Sequence, residues 1–403
     1  LSQGFGQILR LLAKIVLGAW IARYLGVEEF GKLSYALALV GILSPLGGLG
    51  TKPALSAILC ETNTKKSLIA SALFVEIIGR ISTSIFLIPI ILFTKDIILK
   101  FLIIIIMFGN FAGVSEVFEV ELLNQEKGKR IGSVSIYQTL FDSSMYILAI
   151  LLKANVLIFG FINSLALFFR ALLLAITVQR IKFWKTLKLI NIDHSKEILK
   201  RGLPLLLSGL SIALYMRSDQ VLIEWIKGPK EVGIYSVAVR ISESLYFLPV
   251  ILANTYLPKI GNQINLNEKL KTTRELFKAS WLLGLIMTTL SITLFRILIP
   301  YLFGNDYLES GQTLLFLAPS AFAVSLGCAS NTWLNLNDKV NLILKKSIFG
   351  AILNIFLNLL LIPSFGFNGA AIATTIAQFS SVFFIMILNK KCRLHIKLLI
   401  FPF

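Results

Sequence analysis

Residues 26–36 read Gly-Val-Glu-Glu-Phe-Gly-Lys-Leu-Ser-Tyr-Ala, and residues 228–238 read Gly-Pro-Lys-Glu-Val-Gly-Ile-Tyr-Ser-Val-Ala. Set together without a gap, Gly, Glu, Gly, Ser and Ala coincide at an offset of 202 residues, half the chain. Prolines match as well: Pro45 and Pro53 follow the first copy, Pro249 and Pro258 the second. A repeat of this size marks a chain built from two similar halves. Both copies are set in long apolar sequence, so the repeated unit is a group of membrane-crossing helices.

A helix that spans a bilayer takes about 20 predominantly apolar residues. Twelve segments qualify: 5–25, 33–53, 67–93, 97–118, 133–152, 156–178, 202–226, 232–257, 278–302, 311–334, 343–363 and 368–389. They are too continuous for strands of a membrane barrel, which alternate over about ten residues. The sequence predicts an all-α polytopic membrane protein with twelve transmembrane helices in two six-helix bundles. Six spans separate the repeat copies, so both halves enter the membrane in the same orientation. That makes the repeat parallel, a pseudo-two-fold about the membrane normal, as in transporters with two bundles around a central cavity. The expected divisions are an N-terminal bundle at 1–180, a linker at 181–201, a C-terminal bundle at 202–389 and a basic cytoplasmic tail at 390–403. The linker mixes Phe183, Trp184, Leu187 and Ile190 with closely spaced Lys, the pattern of an amphipathic segment in the cytoplasmic interface.

Of the 403 residues 56% are hydrophobic and 15% charged, against roughly 25% charged in soluble domains. That composition argues against a water-soluble enzyme. The formal net charge of +18, from 39 Lys+Arg against 21 Asp+Glu, would point to nucleic acid in a soluble chain. Here it records topology, and no nucleic-acid partner is expected. Twenty-five of the 39 cations lie in the even-numbered connections and the tail, and seven in the odd-numbered connections. Cytoplasmic loops are the ones enriched in Lys and Arg, which puts both termini in the cytoplasm.

The remaining seven cations fall inside spans: Arg10, Lys14, Arg80, Arg170, Arg217, Arg240 and Arg296. A charge at a helix centre costs about 2.5–3.5 kcal/mol on insertion scales, so each must pair, snorkel or face a water-filled cavity. Glu76 and Arg80, four apart with the acid first, can pair along one helix face, as can Arg240 and Glu243, three apart. Arg10 and Lys14 share a face with no local acid. Arg217 and Asp219, two apart, point to different faces. Asp142 sits in mid-span of the fifth helix. Glu76, Asp142, Asp219 and Glu243 are the deep acids, fewer than the cations. A cationic surplus suits an anionic, phosphate-bearing cargo, because Arg and Lys give charge-assisted hydrogen bonds to phosphate oxygens. The candidates for cargo binding are therefore Arg10, Lys14, Arg80, Arg217 and Arg240, and those for ion coupling Asp142 and Asp219. Asn354 and Asn358, four apart in the eleventh span, read as interhelical hydrogen-bonding groups.

Catalytic constellations are missing. Cys60, Cys328 and Cys392 are widely separated and form neither a disulfide framework nor a metal motif. Two histidines, His194 and His395, leave nothing for a histidine metal site. No glycine-rich loop ends in the Lys-Ser/Thr of a nucleotide-binding site, and no connection is long enough to hold a folded domain. The expectation is a transporter rather than an enzyme, without metal or cofactor, driven by an H+ or Na+ gradient, the membrane potential or the cargo gradient.

Three motifs resemble a known family. Trp20-Ile-Ala-Arg-Tyr-Leu followed by Gly26 to Ala36 resembles the N-terminal signature of bacterial polysaccharide exporters, the O-antigen and capsule repeat-unit flippases. Arg217-Ser-Asp-Gln with Gly228 to Ala238 resembles their seventh-helix motif, Gln220 standing where that motif often has Arg. Asn354-Ile-Phe-Leu-Asn-Leu-Leu-Leu-Ile-Pro-Ser-Phe-Gly-Phe-Asn-Gly-Ala-Ala-Ile-Ala-Thr374 resembles their C-terminal signature. The resemblance runs over essentially the whole chain. It implies a fold like that of the multidrug and toxin extrusion (MATE) transporters, two six-helix bundles forming a V. It also implies alternating-access flipping of an undecaprenyl-pyrophosphate-linked oligosaccharide across the bacterial cytoplasmic (inner) membrane. Its partners would be that lipid-linked oligosaccharide, membrane lipids, a coupling ion, and the polysaccharide polymerase and chain-length proteins. The rivals are a drug/cation antiporter of the same fold, for which a cationic cavity has the wrong sign, and a polysaccharide polymerase or ligase, whose chemistry would favour a large outward loop.

Overall fold

Inside a bilayer every backbone N–H and C=O must be bonded within the protein, which leaves apolar runs of this length only the helix. The computed structural model of the chain describes the backbone of residues 2–61, 65–178, 188–337, 339–388 and 399. Side chains are described for 15–61, 66–178, 188–337, 339, 341–383 and 399. All regular structure among the described residues is helical. In chain order it comprises α1 (Ser2–Gly48), α2 (Thr51–Glu61), α3 (Lys65–Phe93), α4 (Ile97–Asn110), α5 (Glu116–Asn124), α6 (Gly128–Leu151), α7 (Val156–Thr177) and α8 (Ile192–Lys227). There follow α9 (Pro229–Ser244), α10 (Phe247–Gly261), α11 (Leu266–Leu290), α12 (Arg296–Phe303), α13 (Leu308–Leu317), α14 (Pro319–Leu336) and α15 (Val340–Leu388). Only part of the expected linker at 181–201 is described. From Ile192 onward it is the start of α8, which continues through Pro204 without a break at residue 202. The expected basic tail at 390–403 lies, apart from Leu399, outside the described residues.

Among the described residues nine helices are long and apolar enough to cross a membrane, or ten with one bent pair, Asn305–Leu317 and Pro319–Leu336, counted as a span. Two of the helices are far longer than one crossing requires. α1 has 47 residues and α15 has 49, about 70 Å each if straight, against a hydrocarbon core of about 30 Å. Each contains one glycine in a left-handed, non-helical conformation: Gly26 (φ 75°, ψ 171°) and Gly366 (φ 55°, ψ −139°). Glycine takes such angles without the Cβ penalty. In α15 the chain folds back there, since Asn354 Nδ2 donates to Thr374 Oγ1 at 3.2 Å. An unbroken helix would hold those residues about 30 Å apart.

The repeated sequence has a repeated local conformation. Gly228 (φ 92°, ψ 178°) turns the chain between α8 and α9 much as Gly26 does 202 residues earlier. Beyond these turns the two copies meet backbone to backbone. A Cβ on Gly31 would lie 1.8 Å from Pro229 O, and a Cβ on Gly233 would lie 2.0 Å from Val27 O. Both pairs, Val27 with Pro229 and Gly31 with Gly233, are 202 apart, so the contact is reciprocal. Prolines mark the next break in each half. Pro53 lies in the first turn of α2, after the interruption at Leu49 and Gly50, and Pro249 in the first turn of α10, after Leu245 and Tyr246. The first turn is where a missing N–H costs nothing.

The chain forms two compact units: Leu1–Leu17 with Lys32–Arg217, and Gly18–Gly31 with Ser218–Phe403. The division falls inside α8, and residues 18–31 join the second unit through the contact just described. In the first unit Leu55, Ile58, Leu68, Leu73, Leu122 and Leu174 form a buried apolar core. In the second, Leu276, Phe277, Leu326, Ala329 and Leu334 do so. The start of α4 is fixed by Asp96, whose carboxylate accepts from the N–H groups of Ile98 (2.8 Å) and Leu99 (3.3 Å). The same carboxylate pairs with the buried Lys32 at 3.0 Å.

Candidate functional site

Three consecutive residues of α8 reach different neighbours, because successive positions on a helix point about 100° apart. Ser218 Oγ donates to Asn354 Oδ1 of α15 at 3.0 Å. Gln220 Nε2 donates to Ser236 Oγ of α9 at 3.3 Å. Between them, Asp219 is 2% exposed. It accepts a short hydrogen bond from the Tyr235 hydroxyl, one from Thr374 Oγ1 at 3.5 Å and one from the Gln220 N–H at 2.8 Å. The set closes through α15, where Asn358 Nδ2 donates to Asn354 Oδ1 at 2.9 Å. Asn358 Oδ1 is buried with no partner among the described residues.

The turn at Gly366 makes this possible, since it carries Thr374 back beside Asn354. That hairpin is tied down by Glu231 Oε2, which accepts from the Phe367 N–H at 3.2 Å, and by Thr313 Oγ1, which donates to Asn368 Oδ1 at 3.1 Å. Removing a carboxylate from water is costly unless hydroxyl and amide donors replace the water. Chemically the cluster is a buried carboxylate ringed by neutral oxygens from α8, α9 and both arms of α15. Such a set can take up a proton or hold a small hard cation. No group of three His, Cys, Asp or Glu suited to a metal ion occurs among the described residues.

The cations predicted for cargo binding have different surroundings. Arg80, 3% exposed, lies in the first unit between Gly47 and Gly113, where a Cβ on either would sit within 2.6 Å of its side chain. Its guanidinium pairs with Glu76 at 3.0 Å and donates to Asn110 Oδ1 at 2.7 Å. The pairing open to Glu76 and Arg80 from their spacing is therefore made. Arg240 is half-buried in the second unit, 5.2 Å above the Phe30 ring and packed against Gly18, whose Cβ would lie 2.2 Å from Nη1. Arg217 is half-buried on α8, and Asp142 is half-buried on α6 in the first unit, apart from the Asp219 cluster. Arg10 and Lys14 lie on α1, but their side chains are outside the described residues.

Sequence reasoning missed two acids. Glu116 and Glu119 on α5 face Lys52 at 3.8 and 3.3 Å, and Glu119 also pairs with Arg170 at 2.8 Å. Arg170 is thus answered by a carboxylate from another span. Its signal was the Glu-x-x-Glu spacing at the end of the fourth apolar segment. It also missed that Lys346, grouped with the loop cations, is buried (5% exposed), with Nζ 3.4 Å from Ser330 Oγ.

Comparisons with known proteins agree with this geometry. The model of the MatE family matches residues 204–360, most of them in the second unit. Over 388 residues the chain is 26% identical to the capsular polysaccharide biosynthesis protein CapF of Staphylococcus aureus, covering 93% of this chain and 94% of that one. It is 25% identical to a putative O-antigen transporter of Escherichia coli (strain K12), covering 80% and 78%. In three dimensions it is similar to an inward-facing MATE multidrug transporter, with a TM-score of 0.78 and 17% identity over 97% of this chain and 95% of that one. It is also similar to the lipid II flippase MurJ in an inward closed conformation, with a TM-score of 0.76 and 16% identity over 100% and 90%. The fold is therefore that of the MATE-like membrane transporters, as the sequence predicts. The family model described as polysaccharide biosynthesis protein matches residues 1–262, more than half of the chain, and the chain belongs to that family.

Proposed function

We propose that this protein is a flippase that moves undecaprenyl-pyrophosphate-linked oligosaccharide repeat units, of O-antigen or capsule, across the bacterial cytoplasmic membrane by alternating access. The observation that carries this reading is the meeting, in one chain, of a polysaccharide-biosynthesis sequence with the fold of a lipid-linked precursor flippase. Relatives named for capsule biosynthesis and O-antigen transport support the cargo class. The two halves, 1–180 and 202–389, are each six crossings, with α1 and α15 counted as two apiece at Gly26 and Gly366. The even-numbered connections and both termini face the cytoplasm.

In this reading Arg217 and Arg240, with Arg10 and Lys14, hold the pyrophosphate and acidic sugars, while the lipid tail stays in the bilayer. Arg80, already sharing its charge with Glu76, serves the same face more weakly. Asp219 is the coupling carboxylate, taking up H+ or Na+ within its ring of oxygens. Asp142 on α6 is the other coupling candidate. The products pass to polymerase and chain-length proteins, and the chain itself performs no covalent chemistry.

Deleting the gene and following lipid-linked intermediates tests this. Repeat units accumulating on the cytoplasmic leaflet support flipping; translocated but unpolymerised units favour a polymerase or ligase. Arg217→Ala and Arg240→Ala should each abolish surface polysaccharide at normal protein level, and full complementation by both would sink the cargo assignment. A drug/cation antiporter is the second reading, favoured by the MatE match at 204–360. Loss of drug resistance on deletion, with normal surface polysaccharide, would establish it instead.

A further inference from the structure

Lys346 lies on α15 in register with Gly350 and Asn354, at i, i+4 and i+8, so the three share one face of the helix. Gly350 adds no side chain to that face between the other two. Eight residues of helix separate Lys346 from Asn354 by about 12 Å. The Lys346 ammonium has Ser330 Oγ of α14 at 3.4 Å and Cys328 of the same helix beside it. Among the described residues no carboxylate lies within ion-pair distance of it. An ammonium buried with a single hydroxyl partner is costly, and its charge must be answered over a longer range. The opposite charge at the far end of this face is Asp219, joined to Asn354 through Thr374. Buried polar atoms without partners among the described residues occur in the same unit: Asn358 Oδ1, Gln378 Oε1 one turn beyond Thr374, and Asn331 Oδ1. Atoms of that kind bind internal water.

We propose that Lys346 sets the affinity of the coupling site, acting as a built-in counter-cation to Asp219 that competes through the protein interior with the ion Asp219 takes up. This rests on the coupling role given to Asp219 above. With Lys346 charged, the pair is neutral when the site is empty and carries one positive charge when an ion is bound. The ion is then held loosely enough to leave, as a coupling ion must. Asp219 lies two hydrogen bonds beyond Asn354, so the two charges are on the order of 15 Å or more apart. At an effective dielectric of about 20 that separation changes a binding constant by about fivefold. Among the described residues, ionisable groups at the two ends include Cys328 beside Lys346 and Tyr235 of α9, bonded to Asp219, with Arg217 two residues before Asp219 on α8. All of them stay in place when Lys346 alone is changed.

The test uses the purified full-length protein and two titrations of its melting temperature. One varies NaCl against choline chloride at constant ionic strength; the other varies pH in choline chloride. Lys346→Gln should tighten the Na+ response by about fivefold or, where the proton is the ion, move the pH transition up by more than about half a unit. Lys346→Arg, which keeps the charge, should match the wild type in both. The proposal is overturned if Lys346→Gln leaves both titrations unmoved or weakens the ion response, or if Lys346→Arg behaves like Lys346→Gln. Asp219→Asn separates the two levels: it should abolish the ion response. A wild-type response retained in Asp219→Asn would remove Asp219 as the coupling group, and the Lys346 proposal with it.

Discussion

Single residues show how a charge is kept inside this membrane protein. Arg80 and Glu76 were one helical turn apart in the sequence, and a local pair of that kind can be read without a structure. Asn110, Gly47 and Gly113, which complete the socket, come from other helices and could not be. Truncating one member of a buried pair leaves the other uncompensated, at a cost of about 3–5 kcal/mol. Arg80→Ala should therefore lower the melting temperature strongly, and the double change Glu76→Gln with Arg80→Gln should recover much of the loss. Asp96 gives a pH dependence. Partial burial pushes its carboxyl up, but the Lys32 ammonium and the N–H groups of Leu99 and Ile98 outweigh this and hold it below the usual carboxylate range. Its contribution to stability is thus complete above that range and is lost as pH falls through the lowered value. The difference in melting temperature between wild type and Asp96→Asn should be constant near neutrality and close toward zero in acid. The Asp219 cluster was legible only in part. Asp219 could be singled out as a mid-span acid, but Tyr235 and Thr374 lie 16 and 155 residues away along the chain, and only the packing of α8, α9 and α15 brings them to it.

Elements were most legible where they were long and apolar, and least where they turn. Hydropathy picked out the long apolar helices, nine or ten of them long enough to cross a membrane among the described residues. The matched glycines picked out the similar turns at Gly26 and Gly228. What hydropathy does not record is that α9 and the start of the second span touch through backbone alone. At Gly31 and Gly233 a methyl group would fall about 2 Å from a carbonyl oxygen, which no rotamer change relieves. Gly31→Ala and Gly233→Ala should each separate the two segments and cost both stability and surface polysaccharide. Gly128→Ala and Gly132→Ala on α6 are the controls. Neither added methyl meets anything within 4 Å, and removing a helix-interior glycine stabilises by about 1 kcal/mol. Those two variants should melt no lower than the wild type and export normally. The misjudged cations belong to this scale too. The partner of Arg170 escapes a hydropathy reading because the fourth apolar segment ends at residue 118, one short of the Glu119 that pairs with it.

At the scale of the whole molecule, composition and hydropathy decided the class early: a polytopic helical membrane protein, its +18 net charge expected to record orientation. Two of the seven intramembrane cations that suggested an anionic cargo pair with carboxylates. Glu76 answers Arg80 and Glu119 answers Arg170. Of the proposed cargo residues, Arg217 and Arg240 are those whose alanine variants are expected to lose export while keeping protein level.

The one-residue turns at Gly26 and Gly366 have a consequence for how the chain is made. In the proposed topology each glycine joins two crossings by a short connection, Gly26 being followed by Glu28, Glu29 and Lys32 before the second apolar segment. A ribosome-bound intermediate that released only the first crossing would strand the second at the interface with only that short connection to span the gap. Each pair should instead enter the bilayer as one preformed hairpin, carrying across only the few polar residues beside its turn. A charged insertion at either glycine would then be felt first during biogenesis, as failed integration, before any effect on transport could be measured.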